Sequence, residues 1–125
     1  MNANERESLI KNVTGAVYEV SNLLGAGFLE KVYERALVTE LRTRGIRSRT
    51  QVAFPVLYKG ECVGEYFADI LVEDCLLLEL KCCEGFSKEH LAQCLNYLKA
   101  SGKNIALLVN FQRPKAEFKR VVLGL

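Results

Sequence analysis

The chain has 125 residues, 50% hydrophobic and 26% charged, with 17 basic and 15 acidic side chains and a net charge of +2. That apolar content suits one globular domain, residues 1–125, and excludes an intrinsically disordered chain. No apolar run approaches the roughly 20 residues of a membrane span, the opening MNANERESLIK does not read as a signal peptide, and the absence of repeats excludes collagen-like and solenoid classes.

Leu9, Val13, Ala16, Val17, Val20 and Leu24 recur at helical spacing, with no proline among them, and predict a first helix. Gly25-Ala26-Gly27 breaks it, with Gly25 suited to the C-terminal cap. The same loop is no phosphate cradle, because no strand precedes it and no GK[ST] follows. Leu29, Val32, Tyr33, Ala36, Leu37 and Leu41 predict a second helix that ends at Gly45. Glu40 falls near the middle of that stripe without an evident reason. Tyr33 reads as core, with its hydroxyl bonding near Glu30.

From about residue 50 the period changes to that of strands. Gln51–Tyr58 is rich in β-branched and aromatic residues, Lys59-Gly60 reads as a hairpin turn, and Glu61–Val72 returns with Gly64 marking a bulge. After a turn at Glu73-Asp74, Cys75–Cys82 is almost wholly apolar, as expected of a central strand covered on both faces. Ser87 is a suitable N-cap for a third helix, Lys88 to Ala100, stopped by Ser101-Gly102. Asn104–Phe111 is another buried strand, Pro114 breaks the chain, and Phe118–Leu123 forms a last strand. A helix between two buried apolar strands marks a crossover, so those strands are expected to be parallel. The predicted fold is α/β in the broad sense, an α+β mixed sheet flanked by helices: two helices, a three-strand meander, then helix, strand and strand.

Charge is unevenly spread. Residues 61–89 carry eight acids against Lys81 and Lys88, while Arg42, Arg44, Arg47 and Arg49 precede them and six bases lie in residues 99–125. Such a pattern can fold into an acidic pocket with a basic rim or into ordinary solvated faces, and charge alone favours the latter. The cysteines are Cys62, Cys75, Cys82, Cys83 and Cys94, an odd number without a C-x-x-C pair. They read as buried hydrophobes in a reducing, cytoplasmic compartment rather than as a zinc site. His90 is the only histidine and reads as a surface residue.

Glu79 and Lys81 stand inside LLLELKCC, the most hydrophobic strand of the chain. Two residues apart, they share one strand face. Burying a carboxylate or an ammonium is costly unless it is paired or bound to something. Asp69 repeats the anomaly one strand earlier in EYFADILV, and pairing through the Glu73-Asp74 turn brings it toward Glu79. Two carboxylates beside a lysine offer hard oxygen ligands for Mg²⁺ and a cation for a phosphate or an attacking water. The competing reading is a buried ion pair, although three charges exceed what one pair needs.

Asp69 followed by Glu79-Leu80-Lys81 resembles the D…ExK signature of the PD-(D/E)XK nuclease superfamily, with Ala68 where the family name has proline. Gly27-Phe28-Leu29-Glu30-Lys31-Val32-Tyr33 is similar to the GxxExxY pattern of a small family within it, and the resemblance runs over roughly residues 9–123. It implies a restriction-endonuclease-like core and a Mg²⁺- or Mn²⁺-dependent phosphodiesterase acting on DNA or RNA. It also implies Asp69 and Glu79 as metal ligands, Lys81 as the catalytic lysine, Glu30 as an additional acid directed at the metal or its water, and Gln93 as the glutamine of the following helix. On that helix His90, Gln93 and Tyr97 form a polar stripe. Many such nucleases act as dimers, so a homodimer is among the implied arrangements; no membrane partner is expected.

Two other readings stand beside it. One is a non-catalytic nucleic-acid-binding or assembly module on a nuclease scaffold, with Arg42–Arg49 and the basic C-terminal part on phosphate. The other is a structural ion network with an unrelated task, which a metal titration separates.

Overall fold

Periodic apolar residues place the elements much as expected. The computed structural model describes residues 1–125 and orders them as α1 (Ala3–Leu24), α2 (Glu30–Thr43), β1 (Ser48–Tyr58), β2 (Glu61–Val72), β3 (Leu76–Lys81), α3 (Lys88–Ser101), β4 (Ile105–Asn110) and β5 (Glu117–Val122). The five strands lie in the order β1-β2-β3-β4-β5. Pairing is antiparallel except between β3 and β4, which are parallel and joined through α3. This is the mixed sheet with flanking helices of a restriction-endonuclease-like core. No helix is long and apolar enough to cross a membrane.

Each helix starts and stops on an identifiable group. Asn2 caps α1 by accepting the Glu5 amide at 2.8 Å, and Gly25 ends it with φ 70. Ser87 caps α3: its hydroxyl accepts the His90 amide at 3.1 Å, while the Ser87 amide donates to His90 Nδ1 at 3.1 Å. His90 is therefore a capping residue rather than a free surface side chain. Gly102 then closes α3 in the left-handed conformation. Glu40 finds its reason in Arg44, one helical turn on, at 2.8 Å.

The sheet carries a core on each face. On one, α1 and α2 bury Val13, Val17, Tyr33, Leu37 and Leu41 against Ile70, Leu78, Leu80, Leu107 and Val109. On the other, Cys94 and Leu98 of α3 meet Tyr66, Ala68, Leu77 and Ala106. Leu76 to Leu80 are all buried, as a strand covered on both faces requires. Each buried leucine there contributes about 1.5–3 kcal/mol.

Two details depart from expectation. β1 begins at Ser48 rather than Gln51, because the polar run Ser48-Arg49-Thr50 pairs with Val72, Leu71 and Ile70. Tyr33 is buried and stacks on Phe111 at 4.5 Å, but its hydroxyl donates to the Gly25 carbonyl (2.6 Å) and accepts from the Phe28 amide (3.2 Å) rather than reaching Glu30. The ring thus pins the loop before α2. The bulge expected near Gly64 is present as a register shift between Val56 and Leu57, opposite Gly64 and Cys62.

Candidate active site

The site forms where β2 and β3 part. Their ladder has three pairs, Val72 with Leu76, Leu71 with Leu77 and Ile70 with Leu78. At the next step Asp69 supplies a side-chain acceptor in place of a strand carbonyl: its Oδ2 accepts the Leu80 amide at 2.8 Å.

Asp69 also stands where alternation fails. Tyr66 and Ala68 face α3, yet Ile70 and Val72 face α1 and α2. A regular strand would keep all four on one side. The switch falls at Asp69 and, across the hairpin, at Gln51, the two residues that drop out of the β1–β2 ladder between Thr50–Ile70 and Val52–Ala68. Gln51 takes φ 50 there, a left-handed backbone.

β3 alternates normally, so Glu79 and Lys81 point to the α3 side with Leu77. Glu79 is 5% exposed, and its Oε1 is buried without a hydrogen-bond partner. Burial, and then the charge of Asp69 beside it, push its carboxyl up to about 8, against the pull of Lys81. Burial also raises Asp69, partly offset by the Leu80 amide, with Glu34 adding repulsion. Without a cation, the pair lowers its repulsion by holding a proton on Glu79 at neutral pH. Lys81 is half-buried, acts on both carboxylates by charge, and belongs to no ion pair. Asp69, Glu79 and Lys81 are therefore brought together.

Glu30 is placed differently. It begins α2, and its Oε2 accepts the Cys82 amide at 3.2 Å, just past β3. It shares with Asp69 a cleft of about 170 Å³, also lined by Lys31, Glu34, Gln51 and Leu80. No three His, Cys, Asp or Glu side chains gather closely enough to hold a metal ion by themselves. Gln93 is exposed on α3, one turn before Tyr97, whose hydroxyl is raised by burial and by the charges of Glu79 and Asp69. No hydrogen bond joins Gln93 to Asp69 or Glu79.

Sequence reasoning missed Glu34 and Gln51. Glu34 is 6% exposed, with Lys31 Nζ at 2.7 Å on one oxygen and Gln51 Nε2 at 2.7 Å on the other. Its signal was the i, i+4 spacing of Glu30 and Glu34, which puts both acids on one helix face. The basic segment Arg42–Arg49 is largely neutralised: Arg44 pairs with Glu40, Arg47 with Glu73 and Arg49 with Asp74. These are ordinary exposed or partly exposed pairs, each worth at most about 1 kcal/mol.

The donor set is all oxygen. A buried carboxylate oxygen without a partner, beside a second carboxylate, fits a hard divalent cation such as Mg²⁺ or Mn²⁺. Mg²⁺ commonly binds through one or two carboxylates and keeps water or phosphate on its other positions. Two acids are thus sufficient.

Comparison with known proteins gives the same direction. The family model described as the PD-(D/E)XK nuclease superfamily matches residues 7–121. No curated protein matches the chain. Among solved structures, "Crystal structure of SSO0001" is similar at 16% identity and TM-score 0.56, covering 77% of this chain and 51% of that one. The chain thus spans about half the length of that protein. An alkaline exonuclease (LHK-Exo) from Laribacter hongkongensis is similar at 15% identity and TM-score 0.50, covering 85% of this chain and 75% of that one. Its complex with dAMP matches at 13% identity and TM-score 0.51, with the same coverage. At such identities these likenesses concern the fold.

Proposed function

Since the chain belongs to the PD-(D/E)XK nuclease superfamily, we propose that it is a divalent-metal-dependent phosphodiesterase that hydrolyses DNA or RNA. The observation that carries this reading is the close pairing of two carboxylates, Asp69 and Glu79, with one Glu79 oxygen buried and unsatisfied. Leaving such a group unpaired costs about 1–3 kcal/mol or more, which a bound cation removes.

Asp69 and Glu79 would hold Mg²⁺ or Mn²⁺. When bound, the ion supplies a Lewis acid for a phosphate oxygen and lowers the pKa of water. The protein residues do the rest. Asp69, fixed by the Leu80 amide, keeps its carboxylate at the parting of the strands. Lys81, unpaired and on the same strand face as Glu79, supplies positive charge where the phosphorane oxygens become more negative, and it orients the attacking water. Glu30, which lines the cleft with Asp69, is an additional acid, and Gln93 supports the site from α3.

The placement within the GxxExxY family is supported by what the motif residues do. Gly27 adopts φ 109, Tyr33 clasps the loop on both sides of Gly27, and Glu30 is thereby set at the first turn of α2, bonded to the end of β3. The five cysteines are free thiols, in keeping with a cytoplasmic location.

Nicking of plasmid DNA and cleavage of RNA in Mn²⁺ test the proposal. Wild-type protein is expected to cleave at least one of them, while Asp69→Ala and Lys81→Ala are folded by circular dichroism and inactive. Undiminished cleavage by both variants would overturn the site.

A further inference from the structure

Gln51 is an anomaly in its strand. It holds φ 50, a backbone region that L residues other than Asn and Asp rarely adopt, yet it lies within β1 and not in a turn. The strand does not slip there, since Thr50–Ile70 and Val52–Ala68 keep one register on either side. Rare backbone conformations persist where the surroundings over-determine them, and they gather at functional sites.

The kink sends the Gln51 side chain toward α2. Its Nε2 donates to Glu34 Oε1 at 2.7 Å, and Lys31 Nζ holds the other Glu34 oxygen at 2.7 Å. Glu34 is buried and cannot readily move. Gln51 also lies directly across from Asp69 and lines the same cleft, close enough for its carboxamide to favour the charged Asp69 carboxylate. A carboxamide nitrogen carries two hydrogens, enough for two acids. The result is a bonded chain from Lys31 through Glu34 to Gln51, facing across the cleft an Asp69 that is itself bonded to the Leu80 amide.

We infer that Gln51 is a positioning residue, which anchors the Asp69 carboxylate to α2 and so holds it at the Leu80 amide beside Glu79. The inference rests on reading Asp69 as a metal ligand. No tight turn requires the left-handed backbone at this position; it aims an amide donor between two acids that would otherwise repel. Such supporting hydrogen bonds typically change metal affinity by about 10–100-fold.

The test uses the full chain with Gln51→Gly and Gln51→Ala. Glycine accepts φ 50 without strain, whereas alanine keeps the strain, and both lose the amide. Amide hydrogen exchange at Leu80, measured by NMR without metal, is expected to speed up about 10-fold or more in both, with Leu77 and Val109 unchanged. Calorimetry is expected to show Mn²⁺ binding weakened about 10-fold in both. Both lose the bond to the buried Glu34 and only alanine keeps the strain, so Gln51→Gly should melt higher than Gln51→Ala. A purely structural role would instead lower stability and leave Leu80 exchange and Mn²⁺ affinity as they were. Unchanged Leu80 protection overturns the inference whatever the metal does. Wild-type protein that binds no Mn²⁺, with Leu80 still responding, contradicts the metal reading and leaves the anchoring of Asp69 standing.

Discussion

Asp69 stands in for a strand: its Oδ2 takes the Leu80 amide at 2.8 Å where β2 has already left β3. The carboxylate therefore has a structural task as well as a chemical one, and the two can be separated. Asp69→Asn keeps an oxygen for Leu80 and removes the charge that repels Glu79. In metal-free protein at pH 8–9 this variant is expected to melt at least as high as wild type. It should lose cleavage by about 100-fold or more, as expected for a lost charge-stabilising group. Asp69→Ala also loses the acceptor and should be less stable than Asp69→Asn by about 1–3 kcal/mol. Thermal melts of both variants at one pH check the order.

Glu79 gives the metal-free protein a defined pH dependence. Its carboxyl, ordinarily at 4.5, is pushed up to about 8 in the fold by burial and by Asp69. Between those values the folded state holds a proton that the unfolded state has lost, so stability falls as pH rises. This contribution is complete below about pH 4.5 and is lost by about pH 8, with a slope approaching 1.4 kcal/mol per pH unit. Urea unfolding at pH 5, 7 and 9 should show the decline. Glu79→Gln should flatten it, and Mn²⁺ at pH 8 should restore stability to the wild type alone.

The loop before α2 depends on Tyr33. Tyr33→Phe retains the stacking on Phe111 and loses the bonds to Gly25 and Phe28. A loss of about 1–2 kcal/mol is expected in chemical denaturation. Gly27→Ala meets no atom within 4 Å, so its cost is purely conformational at φ 109, about 1–2 kcal/mol. Both variants should also slow cleavage, because Glu30 begins the helix that this loop positions. A kcat equal to wild type in both would separate the loop from the site.

Much of this was legible in the sequence. An apolar run with Glu79 and Lys81 inside it announces a central strand with a task, and the apolar spacing around α3 announces the crossover. Asp69 was legible for the same reason, a charge where the strand is otherwise buried. Gln51 was not, because glutamine carries no left-handed signal and in Ser48-Arg49-Thr50-Gln51 it is simply the residue on which the expected strand opens. Only pairing with Ile70 to Val72 makes the first three of those residues strand. Glu34 gives no signal beyond its i, i+4 spacing from Glu30, and its burial comes from Lys31 and Gln51 closing over it. Glu40 had no evident reason in the sequence and His90 read as a surface residue, since an ion pair to Arg44 and a cap on Ser87 are contacts that composition does not reveal.

The central claim is that Asp69 and Glu79 jointly hold a divalent cation. A crystal soaked in Mn²⁺ tests it most directly through the anomalous signal of manganese. The account predicts one peak within about 2.0–2.3 Å of a carboxylate oxygen from each residue, abolished in Glu79→Gln. A peak held by other acids, such as Glu73 and Asp74, with none between Asp69 and Glu79, would contradict it.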